Sequence, residues 1–158
     1  MKITVRRAAA ADQPRLAVLL AEIQAHYGSP NPPGGAAECA RLLTRPGERL
    51  PFALLAEGDG TSMGLATLNP VIYGGAFQWI LFLKDLYVTE SARSLGVGRV
   101  LIGAIARIAL AEDYCRIDWT TDAANHGAQR LYDRLGATRH DKVFYRLTGR
   151  DMAAVAAA

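Results

Sequence analysis

Arg93-Ser94-Leu95-Gly96-Val97-Gly98 is the stretch whose residue types and spacing most directly imply chemistry. It lies between an apolar strand-like run ending Leu86-Tyr87-Val88 and a helical run that begins near Gly98. A helix N-terminus exposes unpaired N–H groups and a partial positive charge, so it attracts phosphate. Glycine belongs where backbone must come close to a ligand or adopt a positive φ. Arg93 and Arg99 flank the turn and can add charge-assisted hydrogen bonds to an anion. The pattern therefore predicts an anion cradle, suited to phosphate, at a helix N-terminus. It is not a Walker loop, because no GxxxxGK[ST] occurs. As a Rossmann fingerprint it fails at Leu101, where the third glycine would fall, and Asp118 stands mid-strand, a poor ribose position.

The elements that must position this turn follow from hydrophobic period. Ile3 to Arg7 alternates as an opening strand. Asp12 stands at a helix N-cap with Pro14 in the first turn, and Leu16, Leu19, Leu20 and Ile23 follow at helical spacing. The breaker cluster from Gly28 to Gly35 ends that helix near Tyr27. Ala36 to Leu43 predicts a short second helix. Phe52 to Glu57 and Met63 to Ile72 predict strands joined by a Gly58-Asp59-Gly60 hairpin turn. Gln78 to Val88 is nearly continuously apolar, as expected for a strand at a sheet centre. After the glycine turn come a helix to about Asp113, a strand from Cys115 to Thr121, a helix from Asn125 to Leu135 stopped by Gly136, and a last strand from Lys142 to Leu147. Residues 1–149 read as one domain, and the alanine-rich residues 150–158 as a frayed tail. The alternation of strands and helices after an antiparallel start predicts a mixed α/β, or α+β, sheet.

Composition narrows the class. A chain of 158 residues suits one domain, which at this size buries roughly 68–70% of its unfolded surface. The apolar fraction of 51% and charged fraction of 21% are those of a globular protein. The net charge of +3 is modest and the arginines are scattered, which argues against nucleic-acid binding. No apolar run reaches the ~18 residues a spanning helix needs, so no membrane association is expected. Cys39 and Cys115 form no CxxC or Cys/His cluster, so no metal is expected. The two cysteines are expected as reduced, packed thiols in a cytoplasmic protein.

Taken together, these segments resemble the GNAT family of acyl-CoA transferases. The resemblance runs through Leu86-Tyr87-Val88, the Arg93–Gly98 turn, Asn125-His126-Gly127-Ala128-Gln129-Arg130-Leu131-Tyr132 and Leu135-Gly136-Ala137. The later segments resemble the family's N-x-x-A-x-x-L/F-Y-x-x-x-G-F/A pattern, and Ile3 to Ala8 with Asp12 resembles its first strand and helix start. It implies a mostly antiparallel sheet of six to seven strands flanked by about four helices. It also implies acetyl-CoA as cosubstrate and direct transfer of the acetyl group to an amine. Leu86, Tyr87 and Val88 would hold the pantetheine arm. Arg93, Ser94, Leu95, Gly96, Val97, Gly98 and Arg99 would hold the pyrophosphate. Asn125 and Ala128 would complete the cofactor site. Tyr132, seven residues after Asn125 and on nearly the same helix face, would protonate the leaving thiolate. A phenol with pKa near ~10 carries that proton at neutral pH.

Phe82 to Val88 most resembles the central strand of diamine and polyamine N-acetyltransferases, with one departure. Lys84 stands where those enzymes usually carry glutamate. Lys84 and Asp85 are candidate acceptor contacts, as is Tyr27, which with His26 precedes the Gly/Pro-rich loop. A carboxylate-bearing amine tolerates Lys84 better than a polycation does, since opposite charges attract. Three readings stay open: a small-molecule amine acetyltransferase, for a polyamine, diamine, amino-acid-like amine or aminoglycoside; a peptide or protein acetyltransferase; and a CoA-binding regulatory module without turnover. The resemblance leaves homodimer formation open, and no sequence feature carries it.

Overall fold

The computed structural model describes residues 1–75 and 77–158. Five strands form one sheet in the order β1-β2-β3-β4-β5: β1 Thr4–Arg7, β2 Phe52–Gly58, β3 Thr61–Tyr73, β4 Gln78–Val88 and β5 Tyr114–Trp119. The first four pair antiparallel, and β4 pairs parallel with β5. A parallel neighbour needs a crossover, and α3, Val97–Ala111, supplies it. The remaining helices are α1 Gln13–His26, α2 Gly35–Leu43, α4 His126–Arg134 and α5 Gly149–Ala156. No helix among the described residues is long and apolar enough to cross a membrane.

Period-two alternation sorts the core onto two faces of the sheet. Ala53, Leu55 and Leu65 meet Leu16, Leu19, Leu20 and Ile23 of α1 and Ala40 and Leu43 of α2. Leu54, Ala56, Leu68, Leu81 and Leu83 meet Val97, Leu101, Ala104 and Ile105 of α3. Each leucine buried in this way contributes roughly 1.5–3 kcal/mol. β2 is therefore apolar at successive positions because helices cover both of its faces.

Five expectations need correction. Among the described residues the sheet has five strands, not six to seven, and the chain has five α-helices, not about four. Lys142 to Leu147 is not a strand: residues 137–148 form no regular structure and pair with neither edge of the sheet. Asp12 lies at the start of α1, yet its carboxylate does not cap that helix. It accepts the Ala9 N–H at 2.8 Å and two Arg6 N–H bonds at 2.7 and 2.8 Å, so it closes the preceding 3-10 turn and ties it to β1. The two cysteines are free but exposed, not packed. Residues 150–158, expected to fray, lie largely in α5, which Thr148 and Asp151 start with a capping box.

Candidate cofactor and acceptor site

The central feature of the site is a break in β4. Opposite β3 the register runs Ala66↔Leu86, Thr67↔Asp85 and then Leu68↔Leu83, so Lys84 is an extra residue. Such a bulge interrupts alternation and bends the strand. Leu81 and Leu83 before it and Leu86 and Val88 after it all face the α3 side, although their spacing changes from two to three residues at the break. Tyr87 faces the α1/α2 side. Adjacent residues of a regular strand point to opposite faces, and the bulge breaks that rule at Lys84 and Asp85.

The bulge also ends pairing with β5. The last parallel pair is Leu83↔Trp119, whereas pairing with β3 continues to Val88. Lys84 to Val88 thus has a strand neighbour on one side only. At ~3.3 Å per residue, the splayed strands leave roughly 13–16 Å of β4 backbone free to accept an extended, amide-bearing ligand as an added strand. Leu86, Tyr87 and Val88 lie in this opening.

The predicted anion cradle stands at its end. Glu90–Ala92 forms a 3-10 turn, Ser94 and Gly96 take positive φ (66° and 81°), and Gly96 is the N-cap of α3. No side chain caps that helix. Val100 N–H donates to Gly96 O at 3.1 Å. The amides of Val97, Gly98 and Arg99 precede it, in the turn where helix geometry provides no carbonyl partner. A Cβ at Gly96 would meet nothing within 4 Å, so open space lies beside this backbone. Leu95 is half exposed, and Ser94, Arg93 and Arg99 are exposed. Among the described residues, neither arginine is engaged in an ion pair, so both remain available to an anion.

Gly98 is where the separate motifs meet. A Cβ there would lie 3.1 Å from Leu131 Cδ2 and 4.0 Å from Val88 Cγ2. The end of β4, the start of α3 and helix α4 therefore converge on a point that only a glycine fills without displacement. Asn125 caps α4 by accepting the Ala128 N–H at 3.1 Å, so its side-chain oxygen holds the helix that carries Tyr132. Tyr132 is half-buried, and its ring meets that of Trp119 edge-on, with centroids 5.2 Å apart. Burial, with a smaller contribution from nearby Tyr27, pushes the Tyr132 phenol above its ordinary range. It therefore keeps its proton at neutral pH and can donate it.

On the other face of β4 lies a group that sequence reasoning missed. Glu22 of α1 accepts a hydrogen bond from the Tyr87 hydroxyl at 3.1 Å. Burial and this carboxylate together push the Tyr87 phenol up. Glu22 is four residues before His26, one helical turn, and the His26 ring lies 6.2 Å from Tyr87 and 5.0 Å from Tyr27. That spacing alone does not single out Glu22, because its partner Tyr87 lies on another element, 65 residues away. Asp85 accepts the Thr67 hydroxyl at 2.5 Å, so it is anchored to β3, while Lys84 beside it is exposed. Pro32 and Pro33 of the Gly/Pro-rich loop line a shallow depression with Ala17, Val18 and Ala21 of α1. Donor-side candidates therefore gather at the β4–α3–α4 junction. Tyr27, Tyr87 and Glu22 gather at the end of α1. Lys84 and Asp85 lie at the bulge between these two groups.

An open β4 edge leads to an uncapped helix N-terminus with a protonated phenol beside it, an arrangement on an α/β sheet that suits an extended, anionic ligand. The sequence profile described as the Acetyltransferase (GNAT) family matches residues 19–137, and the chain belongs to that family. Among curated proteins it is similar to the D-amino-acid N-acetyltransferase HPA3 of Saccharomyces cerevisiae, 37% identical over 90 residues. That match covers 57% of this chain and 55% of the yeast protein, so the chain spans about half the length of this relative. Among solved structures, the Vibrio cholerae integron cassette protein VCH_CASS6 superposes with a TM-score of 0.81 at 24% identity, covering 100% of this chain and 99% of that one. The aminoglycoside N-acetyltransferase AAC(6')-Iy in complex with CoA superposes with a TM-score of 0.79 at 17% identity, covering 94% and 95%. At these identities the two structures establish the fold.

Proposed function

We propose that this chain transfers the acetyl group of acetyl-CoA directly to the primary amine of a small molecule, and that the acceptor is an amino-acid-like amine carrying its own carboxylate. The observation that carries the reading is the break at Lys84, which separates an open donor edge from an acceptor side with charges of both signs. On the donor side, the free backbone of Leu86 to Val88 takes the pantetheine arm. The amides from Ser94 to Arg99, with the Arg93 and Arg99 side chains, take the pyrophosphate. The substrate's ammonium first loses a proton to solvent water, and the neutral amine nitrogen attacks the thioester carbonyl. A C–N bond forms, the C–S bond breaks, and Tyr132 gives its proton to the departing thiolate. The nitrogen's surplus proton returns through water to the Tyr132 phenolate.

On the acceptor side, Glu22 supplies negative charge beside Tyr87 for the substrate's ammonium group, and Lys84 supplies positive charge for its carboxylate. A diamine or polyamine would instead set a second ammonium near Lys84, where like charges repel. The similarity to a D-amino-acid N-acetyltransferase supports the same choice. The test is thiol release from acetyl-CoA across D- and L-amino acids, diamines, polyamines, an aminoglycoside and a short peptide. The highest kcat/KM is expected for an amino acid, and Glu22→Gln should raise its KM. A preference for diamines, polyamines or the peptide would overturn the acceptor assignment. CoA binding with no thiol release on any amine would favour a binding module.

A further inference from the structure

Helix α4 carries the proton donor, yet the fold holds it lightly. No residue of α4 is buried. The helix follows residues 120–125, which adopt no helix or strand. Among the described residues, the side-chain hydrogen bonds and ion pairs of this part of the chain stay within residues 122–139. Gln129 donates to the carbonyls of Asp122 and Ala123, and Arg139 pairs with Asp133. Such bonds tie the helix to its own flanks but do not fix it to the sheet. Two adjacent side chains reach the body of the fold: Leu131, against Gly98 at the phosphate turn, and Tyr132, against Trp119.

Trp119 is fixed from two directions. It is the last residue of β5 and pairs with Leu83 immediately before the Lys84 bulge. Its side chain also packs against the buried cluster that contains Leu83, Val97 and Leu101. Its ring and that of Tyr132 have centroids 5.2 Å apart and planes inclined at 64°, the edge-to-face arrangement that aromatic pairs favour. A tyrosine side chain turns about two soft torsions, and on a lightly held helix its hydroxyl needs a fixed wall to rest against. We infer that Trp119 is a positioning residue for acetyl transfer: clamped where β4 and β5 part, its indole sets the place of the Tyr132 hydroxyl beside the open edge. Trp119 acts through Tyr132, so this role rests on Tyr132 being the proton donor. A displacement of ~1 Å at a reacting group can cost about 10²-fold in rate. Loss of the indole cannot cost more than loss of the hydroxyl that it places.

The test is a double-mutant cycle on kcat, read as thiol release from acetyl-CoA with the amine that the acceptor panel selects. Trp119→Leu and Trp119→Met each remove the ring and keep apolar bulk against the core. If circular dichroism shows one of them misfolded, the other decides. Each is expected to lower kcat about ten-fold, and by no more than Tyr132→Phe does. CoA affinity by titration calorimetry should stay within about two-fold of wild type. Trp119→Phe keeps an aromatic ring and should restore most of the rate. In the Tyr132→Phe background, removing the indole should change kcat by less than about two-fold, because the group it places is already gone. A full loss in that background overturns the proposal. So does a wild-type kcat in Trp119→Leu, a parallel loss of CoA affinity, or a Trp119→Phe rate as low as that of Trp119→Leu. An unchanged kcat in Tyr132→Phe alone would instead strike the proton-donor reading, and the role of Trp119 with it.

Discussion

Replacing Gly96 with alanine separates the backbone's role in the phosphate turn from that of any side chain. Gly96 has φ 81°, and an added Cβ would meet nothing within 4 Å. The cost in the free protein is then conformational only, about 1–2 kcal/mol for an L-residue in the left-handed region. For a chain of 158 residues, ~2–4 °C of melting temperature per kcal/mol gives a fall of about 2–8 °C. If the turn relaxes instead, the cradle is lost from the resting protein and CoA binding carries the same cost. At 1.4 kcal/mol per decade, that is a loss of roughly 5- to 30-fold in affinity. Pantetheine lacks the pyrophosphate and should bind the variant as it binds the wild type. Scanning calorimetry gives the first quantity and titration calorimetry with CoA and pantetheine the second. Equal losses for both ligands, or no loss in either stability or CoA affinity, would refute the assignment of this turn to the pyrophosphate.

Further outcomes follow from the same geometry. Tyr132→Phe is expected to lower kcat by ten-fold or more, within the range typical of a lost general acid, with CoA affinity unchanged; an unchanged kcat removes Tyr132 from the proton transfer. Lys84→Glu is expected to lower KM for diamines and raise it for amino acids, and steady-state kinetics on both classes checks this. Asp12 gives a pH signature. The Arg6 hydrogen bonds, followed by the Ala9 amide, lower its pKa from 3.8 to about 2. A depressed carboxylate stabilises the fold above its unfolded pKa and loses that contribution as pH falls through the folded one. The pair is then worth about 1–2 kcal/mol at neutral pH, after allowance for the 46% exposure of Arg6. Wild type and Asp12→Ala should therefore differ in denaturation midpoint at pH 7 and converge near pH 2; a constant difference would contradict this.

Most of the fold was legible because local rules and tertiary context agreed. The run Gln78 to Val88 matches β4 residue for residue, and the period of Leu16, Leu19, Leu20 and Ile23 marks the buried face of α1. The phosphate turn was legible because glycine positions report backbone conformation directly. The bulge was present in the pattern, as Leu81 and Leu83 shift parity to Leu86 and Val88, but an almost continuous apolar run hides a one-residue insertion. Asp12 misled because aspartate before a helix caps most often, whereas here Arg6 and the Ala9 amide compete for its oxygens. Glu22 was not legible as a site residue. Its role depends on Tyr87, 65 residues away along the chain and adjacent only after α1 packs on the sheet. Lys142 to Leu147 reads as a strand by composition but forms none, because a strand requires a pairing partner that composition does not name.

The central claim is that the open end of β4 presents an acetyl thioester to an amino-acid amine. Its most direct measurement is product identity: the chain incubated with acetyl-CoA and amino acids, with the products resolved by mass spectrometry. An N-acetyl amino acid is expected to form in step with free CoA thiol, with formation lost or strongly reduced in Tyr132→Phe. Thiol release without an N-acetylated amino acid, or acetylation confined to diamines or peptides, would contradict it.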